Sequence, residues 1–154
     1  MKIDFKKLFI SILIPVILGG VVGFLTSPSN DYKELIQPSF APPAILFPIV
    51  WTILYALMGI SSYIIYESND INKSKALLIY IIQLIVNLLW SVLFFTLNLY
   101  FLSFIWIVLL IILVIVMIKK FYDISKISAY LQIPYLLWLI FAAILNFAIW
   151  ILNV

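Results

Sequence analysis

The chain has 154 residues, of which 67% are apolar and only 10% charged, with a net charge of +3 and a mean hydropathy of +1.28. A water-soluble domain of this size cannot hide so much apolar surface, so its solvent is lipid, and a charge so small and scattered between apolar runs excludes a nucleic-acid surface. Cysteine and histidine are both absent, which removes disulfides, thiolate metal sites, the commonest metal ligand and the usual general base.

Five apolar runs, at about 8–25, 44–66, 76–97, 99–118 and 131–152, contain no Asp, Glu, Lys or Arg. Each is long enough to cross a hydrocarbon core of about 30 Å. Lipid offers the backbone no hydrogen-bond partner, so the runs are helices, and the alternating polarity of a membrane β-barrel is missing. The fold expected is all-α: a single five-helix transmembrane bundle over 1–154.

Lys2, Lys6 and Lys7 precede the first run. It is too long for a signal peptide and is read as a retained helix. Pro15 predicts a kink within it. Gly19 and Gly23 form a GxxxG pair, a spacing that lets two helix backbones approach. It serves either packing within one bundle or a dimer seam between two copies. Segment 26–43 is the one long loop and carries four of the seven prolines, Pro28, Pro38, Pro42 and Pro43. Loops of that length are uncommon unless they have a role, and proline stiffens them, so it is read as a partly ordered lid rather than a plain connector.

The second run carries Trp51, Tyr55, Met58, Gly59 and Ser62 within an arc of about 100°. The apolar stretch 76–118 would, as one helix, be roughly 64 Å long, twice the membrane core, so it is a hairpin of two spans with Asn98 as its turn. In the first arm Gln83, Asn87, Trp90, Ser91 and Phe94 share an arc of about 100°; amides are costly against lipid, so this stripe faces inward. The second arm has only Ser103 and Trp106 as polar handles and reads as a largely lipid-facing scaffold, followed by a basic loop at 119–127. In the last run Tyr135, Trp138, Ala142 and Asn146 fall within about 80° of each other.

Three helices thus each present a stripe of aromatic and small polar side chains. Either the stripes seal the core by packing on one another, or they line an apolar aromatic cavity suited to flat ligands. With no carboxylate, lysine, histidine or cysteine inside the spans, neither acid–base catalysis nor proton-coupled transport has a carrier. Haem ligation has no good ligand, whereas a metal-free porphyrin needs none. No metal site and no cofactor are expected.

Four blocks carry a family resemblance: YKELIQPSFAPPA (32–44), FPIVWTILYALMG (47–59), NLLWSVLFF (87–95) and PYLLWLIFAAILNFAIWILN (134–153). In this order and spacing the chain resembles the tryptophan-rich sensory protein/translocator protein family, also called the peripheral-type benzodiazepine receptor family. The resemblance implies a five-helix bundle, commonly a homodimer, that binds porphyrins, sterols or synthetic isoquinoline-type ligands under its first loop. By motif position Pro42, Trp51, Asn87, Trp90, Ser91, Trp138, Ala142 and Asn146 resemble cavity-lining residues; the stripes themselves add Tyr55, Phe94 and Tyr135. Light-dependent porphyrin breakdown, proposed for some members, would fall to Trp51 and Trp138. The chain departs from the family at Asp31 and Phe40, where tryptophans are frequent. It also lacks the last-helix sterol pattern, since Phe147 and Ile151 stand where Tyr and a basic residue are needed.

Lysines favour the cytoplasmic side of short loops. Lys2, Lys6, Lys7, Lys73, Lys75, Lys119, Lys120 and Lys126 fall on one side and Lys33 on the other. This places the N-terminus inside, and the lid and C-terminus outside, in a bacterial plasma membrane. The expected partners are membrane lipid, a planar apolar molecule such as a porphyrin, and a second copy through Gly19 and Gly23.

Overall fold

A computed structural model describes residues 3–26 and 34–154; expectations at 27–33, including Pro28 and Asp31, lie outside the described residues. Every regular element among those residues is helical: α1 (Phe5–Leu25), α2 (Leu46–Glu67), α3 (Lys73–Ser91), which runs on as one π-helical turn (Val92–Thr96), α4 (Tyr100–Ile124), α5 (Lys126–Tyr130) and α6 (Ile133–Leu152). Five stretches are long and apolar enough to cross a membrane, the fifth being α5 and α6 together (Lys126–Leu152). The chain is an integral membrane protein built as a five-span bundle.

Local chemistry sets the helix ends. Asp4 caps α1, its Oδ1 accepting from the amides of Lys6 (3.1 Å) and Lys7 (3.2 Å), as a short acidic side chain does for otherwise orphaned N–H groups. Between α3 and α4 the π-turn closes with Leu97 N–H donating to Val92 O and Leu99 N–H to Leu93 O, both at 3.0 Å. Asn98 follows at φ 53°, a left-handed conformation that Asn tolerates better than most residues. The expected hairpin turn therefore stands at Asn98.

Two expectations are corrected. Segment 119–127 is not a loop: α4 continues through Lys119 and Lys120 to Ile124, and α5 begins at Lys126. Lysine is a good helix former, and its long stem lets the charge reach water while the backbone stays helical; the break comes only at Ser125. Nor is α4 merely a lipid-facing scaffold. Ser103, Ile107, Leu110, Val114, Met117 and Phe121 are buried, alternating steps of four and three that form one inward seam.

Around the bundle α1 packs along α2 and also touches α3; α3 packs on α4, and α4 on α6. At the lysine-rich end, α1 and α2 are tied by Lys7 Nζ to Glu67 Oε1 (2.9 Å) and by Asp4 N–H donating to the Tyr63 hydroxyl (2.9 Å). Ser61 and Ser128 exchange hydroxyl-to-carbonyl bonds of 2.8 and 3.2 Å, joining α2 to α5. By contrast, α2 and α6 are not among the closely packed helix pairs.

Candidate functional site

The polar members of the three stripes meet in a hydrogen-bonded chain. Tyr55 hydroxyl donates to Asn87 Oδ1 (2.7 Å), Asn87 Nδ2 donates to the Tyr135 hydroxyl (2.8 Å), and that hydroxyl donates to Gln83 Oε1 (2.9 Å). All four residues are buried, Gln83 and Tyr135 completely. An amide that both accepts and donates lets two phenols be satisfied in a dry interior. Gln83 and Asn87 lie one helical turn apart on α3, so both reach Tyr135 of α6.

A second cluster sits nearer the end of α6. Asn146 Oδ1 accepts from Trp90 Nε1 (3.1 Å) and Ser103 Oγ (3.0 Å), while its Nδ2 donates to Tyr100 O (2.9 Å). It joins α3, α4 and α6. Trp90 stacks on Phe94 with ring centroids 5.4 Å apart, and Ala142, also buried, lies one turn before Asn146 on the same face of α6.

Aromatic rings cover the side of α2 that faces α6. Trp51 stacks on Tyr55 at 5.5 Å and stands edge-on to Tyr135 at 6.3 Å. Trp138 lies edge-on to Phe47 at 5.9 Å and tilts against Phe141 at 5.2 Å. Where α2 and α6 stand apart, Val50, Ile53, Leu54, Leu57, Pro134, Leu137, Trp138 and Phe141 line a groove of about 440 Å³. Trp138 walls this groove, yet its Nε1 is buried and has no hydrogen-bond partner among the described residues. An unmade bond of that kind costs about 1–3 kcal/mol. The site offers stacking faces and apolar walls, and among the described residues it holds no nucleophile beside a base.

The candidate residues therefore divide. Tyr55, Asn87, Trp90, Phe94, Tyr135, Ala142 and Asn146 are buried in the bundle, and the two asparagines tie the polar side chains together. Trp51, Trp138, Ser91 and Pro42 are half-buried, with Trp51 and Trp138 on the α2–α6 side and Pro42 in the loop before α2.

A family model, that of the TspO/MBR family, matches residues 11–151, a span that includes every candidate site residue. The chain belongs to the TspO/MBR family. Among related members, the tryptophan-rich protein TspO of Archaeoglobus fulgidus is 42% identical over 149 residues, covering 96% of this chain and 97% of that protein. The tryptophan-rich sensory protein of Cereibacter sphaeroides is 29% identical over 146 residues, 95% of this chain and 91% of its own. The human translocator protein is 30% identical over 122 residues, 77% and 72% of the two chains.

In this TspO/MBR protein several hydrogen-bond and ring partners lie beyond what helical periodicity reveals. Gln83 was legible on the α3 stripe, one turn before Asn87, but not its bond to Tyr135. Ser103, read as one of two polar handles on a lipid-facing helix, is instead buried and bonded to Asn146. Phe47 and Phe141 gave no signal among so many apolar neighbours. Trp106 is also anchored, donating from Nε1 to Val86 O at 2.8 Å, so it holds α4 to α3. Gly19 sits under the Tyr55 ring, which a Cβ there would strike, whereas a Cβ at Gly20 or Gly23 meets nothing within 4 Å. Within the chain, Gly19 thus serves the α1–α2 contact.

Proposed function

We propose that this protein binds a flat apolar ligand, of the porphyrin or tetrapyrrole class, on the aromatic side between α2 and α6, and acts as a sensor, scavenger or carrier. The observation that carries this reading is Trp138: its ring walls an apolar groove between two helices that stand apart, and its buried N–H has no acceptor among the described residues. A planar ring system with acceptor groups at its edge answers both features, stacking on indole and phenyl faces and accepting the spare N–H. The ligand is held without a metal or a resident cofactor. The names of two relatives, sensory protein and translocator protein, accord with a binding role.

Titration of the purified protein in nanodiscs with a metal-free porphyrin, followed by tryptophan quenching, tests the reading; saturable quenching is expected, and its absence refutes it. Absorption spectra of the complex kept in light and in darkness separate binding from photochemical breakdown.

The same proposal includes an orientation, with the lysine-rich end of the bundle in the cytoplasm of a bacterium. Single cysteines at Ser29 and Ser74 are expected to react from opposite faces of the membrane. Labelling from one face refutes it.

A further inference from the structure

The lysine-rich end of the bundle holds a second cavity, of about 320 Å³, which shares no lining residue with the α2–α6 groove. Asp70 and Asn72 between α2 and α3, Lys75 of α3, and Lys120 and Asp123 of α4 line it. Helical spacing assembles these groups. Residues three and four apart share a helix face, so Asn72 with Lys75, and Lys120 with Asp123, each point the same way. The α3–α4 hairpin sets the start of one helix beside the end of the other, and the two charged faces meet.

The charges in this cavity are not spent on one another. Elsewhere at the same end Lys7 pairs with Glu67, Lys73 donates to Tyr66 O and Ser68 O, and Lys126 lies over the Tyr122 ring. Among the described residues no ion pair joins Lys75 or Lys120 to Asp70 or Asp123, although all four line one cavity. Asp70 Oδ1 accepts from the Asn72 amide at 2.7 Å, which shapes the turn and leaves the carboxylate charge unneutralised. Two of the charges also oppose the helices that carry them. Lys75 stands in the first turn of α3, where free amides favour an anion, and Asp123 in the last turn of α4, where free carbonyls favour a cation. A bare anion would leave Asp70 and Asp123 without a counter-charge, and a metal cation would be repelled by Lys75 and Lys120. A zwitterion answers both pairs at once.

We propose that this cavity binds the zwitterionic headgroup of a membrane phospholipid, a phosphate diester bearing a primary ammonium. Lys75 and Lys120 hold the phosphate, and Asp70 and Asp123 hold the ammonium. A primary ammonium donates three hydrogen bonds to such carboxylates; a quaternary one donates none. The bilayer is the source because both helices leave the membrane here and an apolar surface continues from the cavity. Leu78, three residues after Lys75, and Val116, one turn before Lys120, are exposed and give acyl chains a face to lie on. Charged pockets between spans at a membrane surface suit lipid headgroups in this way. The proposal does not depend on any ligand at the α2–α6 side.

Native mass spectrometry tests it, with the purified full chain delipidated in mild detergent and offered equal phosphatidylethanolamine, phosphatidylcholine and phosphatidylglycerol. Phosphatidylethanolamine is expected to be retained about tenfold more than phosphatidylcholine. Lys75→Gln combined with Lys120→Gln is expected to lower that retention about tenfold. Asp70→Asn combined with Asp123→Asn keeps the Oδ1 that accepts from the Asn72 amide and removes only the negative charges. It is expected to turn the preference toward phosphatidylglycerol, a change that loosened packing would not produce. Lys119→Gln, outside the cavity, is the control and should retain lipid as the wild type does. A wild type that holds the three lipids equally, or phosphatidylglycerol best, overturns the zwitterionic site, and that result needs no variant to fold. Wild-type retention by the double lysine variant overturns the phosphate assignment, and an unchanged preference in the double aspartate variant overturns the ammonium assignment. Soluble glycerophosphoethanolamine that displaces the lipid at equal concentration overturns the bilayer as the source.

Discussion

Helix α2 has two very different neighbours. Against α1 it packs at backbone distance: a Cβ added at Gly59 would strike Ser11 O and the backbone of Ile12, and one at Gly19 would strike the Tyr55 ring. Against α6 it stands off, with Phe47, Trp138 and Phe141 holding the gap and an apolar groove left along it. The difference follows from side-chain size. Lipid supplies no hydrophobic drive for one helix to join another, so helices close where small residues allow backbone contact and stay apart where large rings intervene. One helix therefore supplies both a fixed seam and an open, aromatic side.

The sharpest way to break this contrast is to enlarge the seam. Gly59→Leu pushes a branched side chain into the α1 backbone, which cannot step aside as a flexible side chain would. A loss of at least about 3 kcal/mol, or failure to fold, is expected, read as a fall in melting temperature and in monodisperse yield. Tolerance of Leu at this position would mean that α1 and α2 are not in backbone contact.

Next in size is the link between the two sides. Asn87→Leu leaves the Tyr55 hydroxyl without its acceptor and removes the Asn87 donor to the Tyr135 hydroxyl, and a loss of about 1–3 kcal/mol is expected. On the aromatic side, Trp138→Ala and Trp51→Ala each remove a stacking wall. A drop in porphyrin affinity on the order of 5- to 150-fold is expected while the fold persists. Trp150→Phe, which keeps a ring against Phe101 near the end of α6, should bind as the wild type does. Equal weakening in all three would show that the tryptophans act through general packing. Trp106 is a poor control because its indole holds α4 to α3.

The smallest effect is expected at the outer face of α1. A Cβ at Gly23 meets nothing within 4 Å among the described residues, so Gly23→Leu is expected to lower the melting temperature less than Gly59→Leu does. The homodimer we propose through this face would nevertheless be disrupted, giving monomer by light scattering in detergent and in lipid. Gly19→Leu is unsuitable for that test because its primary target is the Tyr55 ring.

The sequence by itself determined the spans, because runs without charge leave the backbone no choice but helix in lipid, and the hairpin, because 76–118 is too long to cross once and Asn98 is the residue that tolerates a left-handed turn. Periodicity also determined which side chains share a face: Asn87 with Trp90, Trp51 with Tyr55, Tyr135 with Asn146. It overreached at 119–127, where lysines were read as loop although their stems suit a helix end, and it undervalued Ser103, one hydroxyl in an otherwise uniform run. What only the tertiary structure decided is which faces meet. Periodicity assigns a residue to a face of its own helix and carries no information about the neighbour. That Ser103 reaches Asn146, that Gly19 lies under Tyr55, and that α2 and α6 stand apart are all outcomes of packing between residues far apart in the chain, settled by side-chain volume and by the need to pair every polar atom away from water.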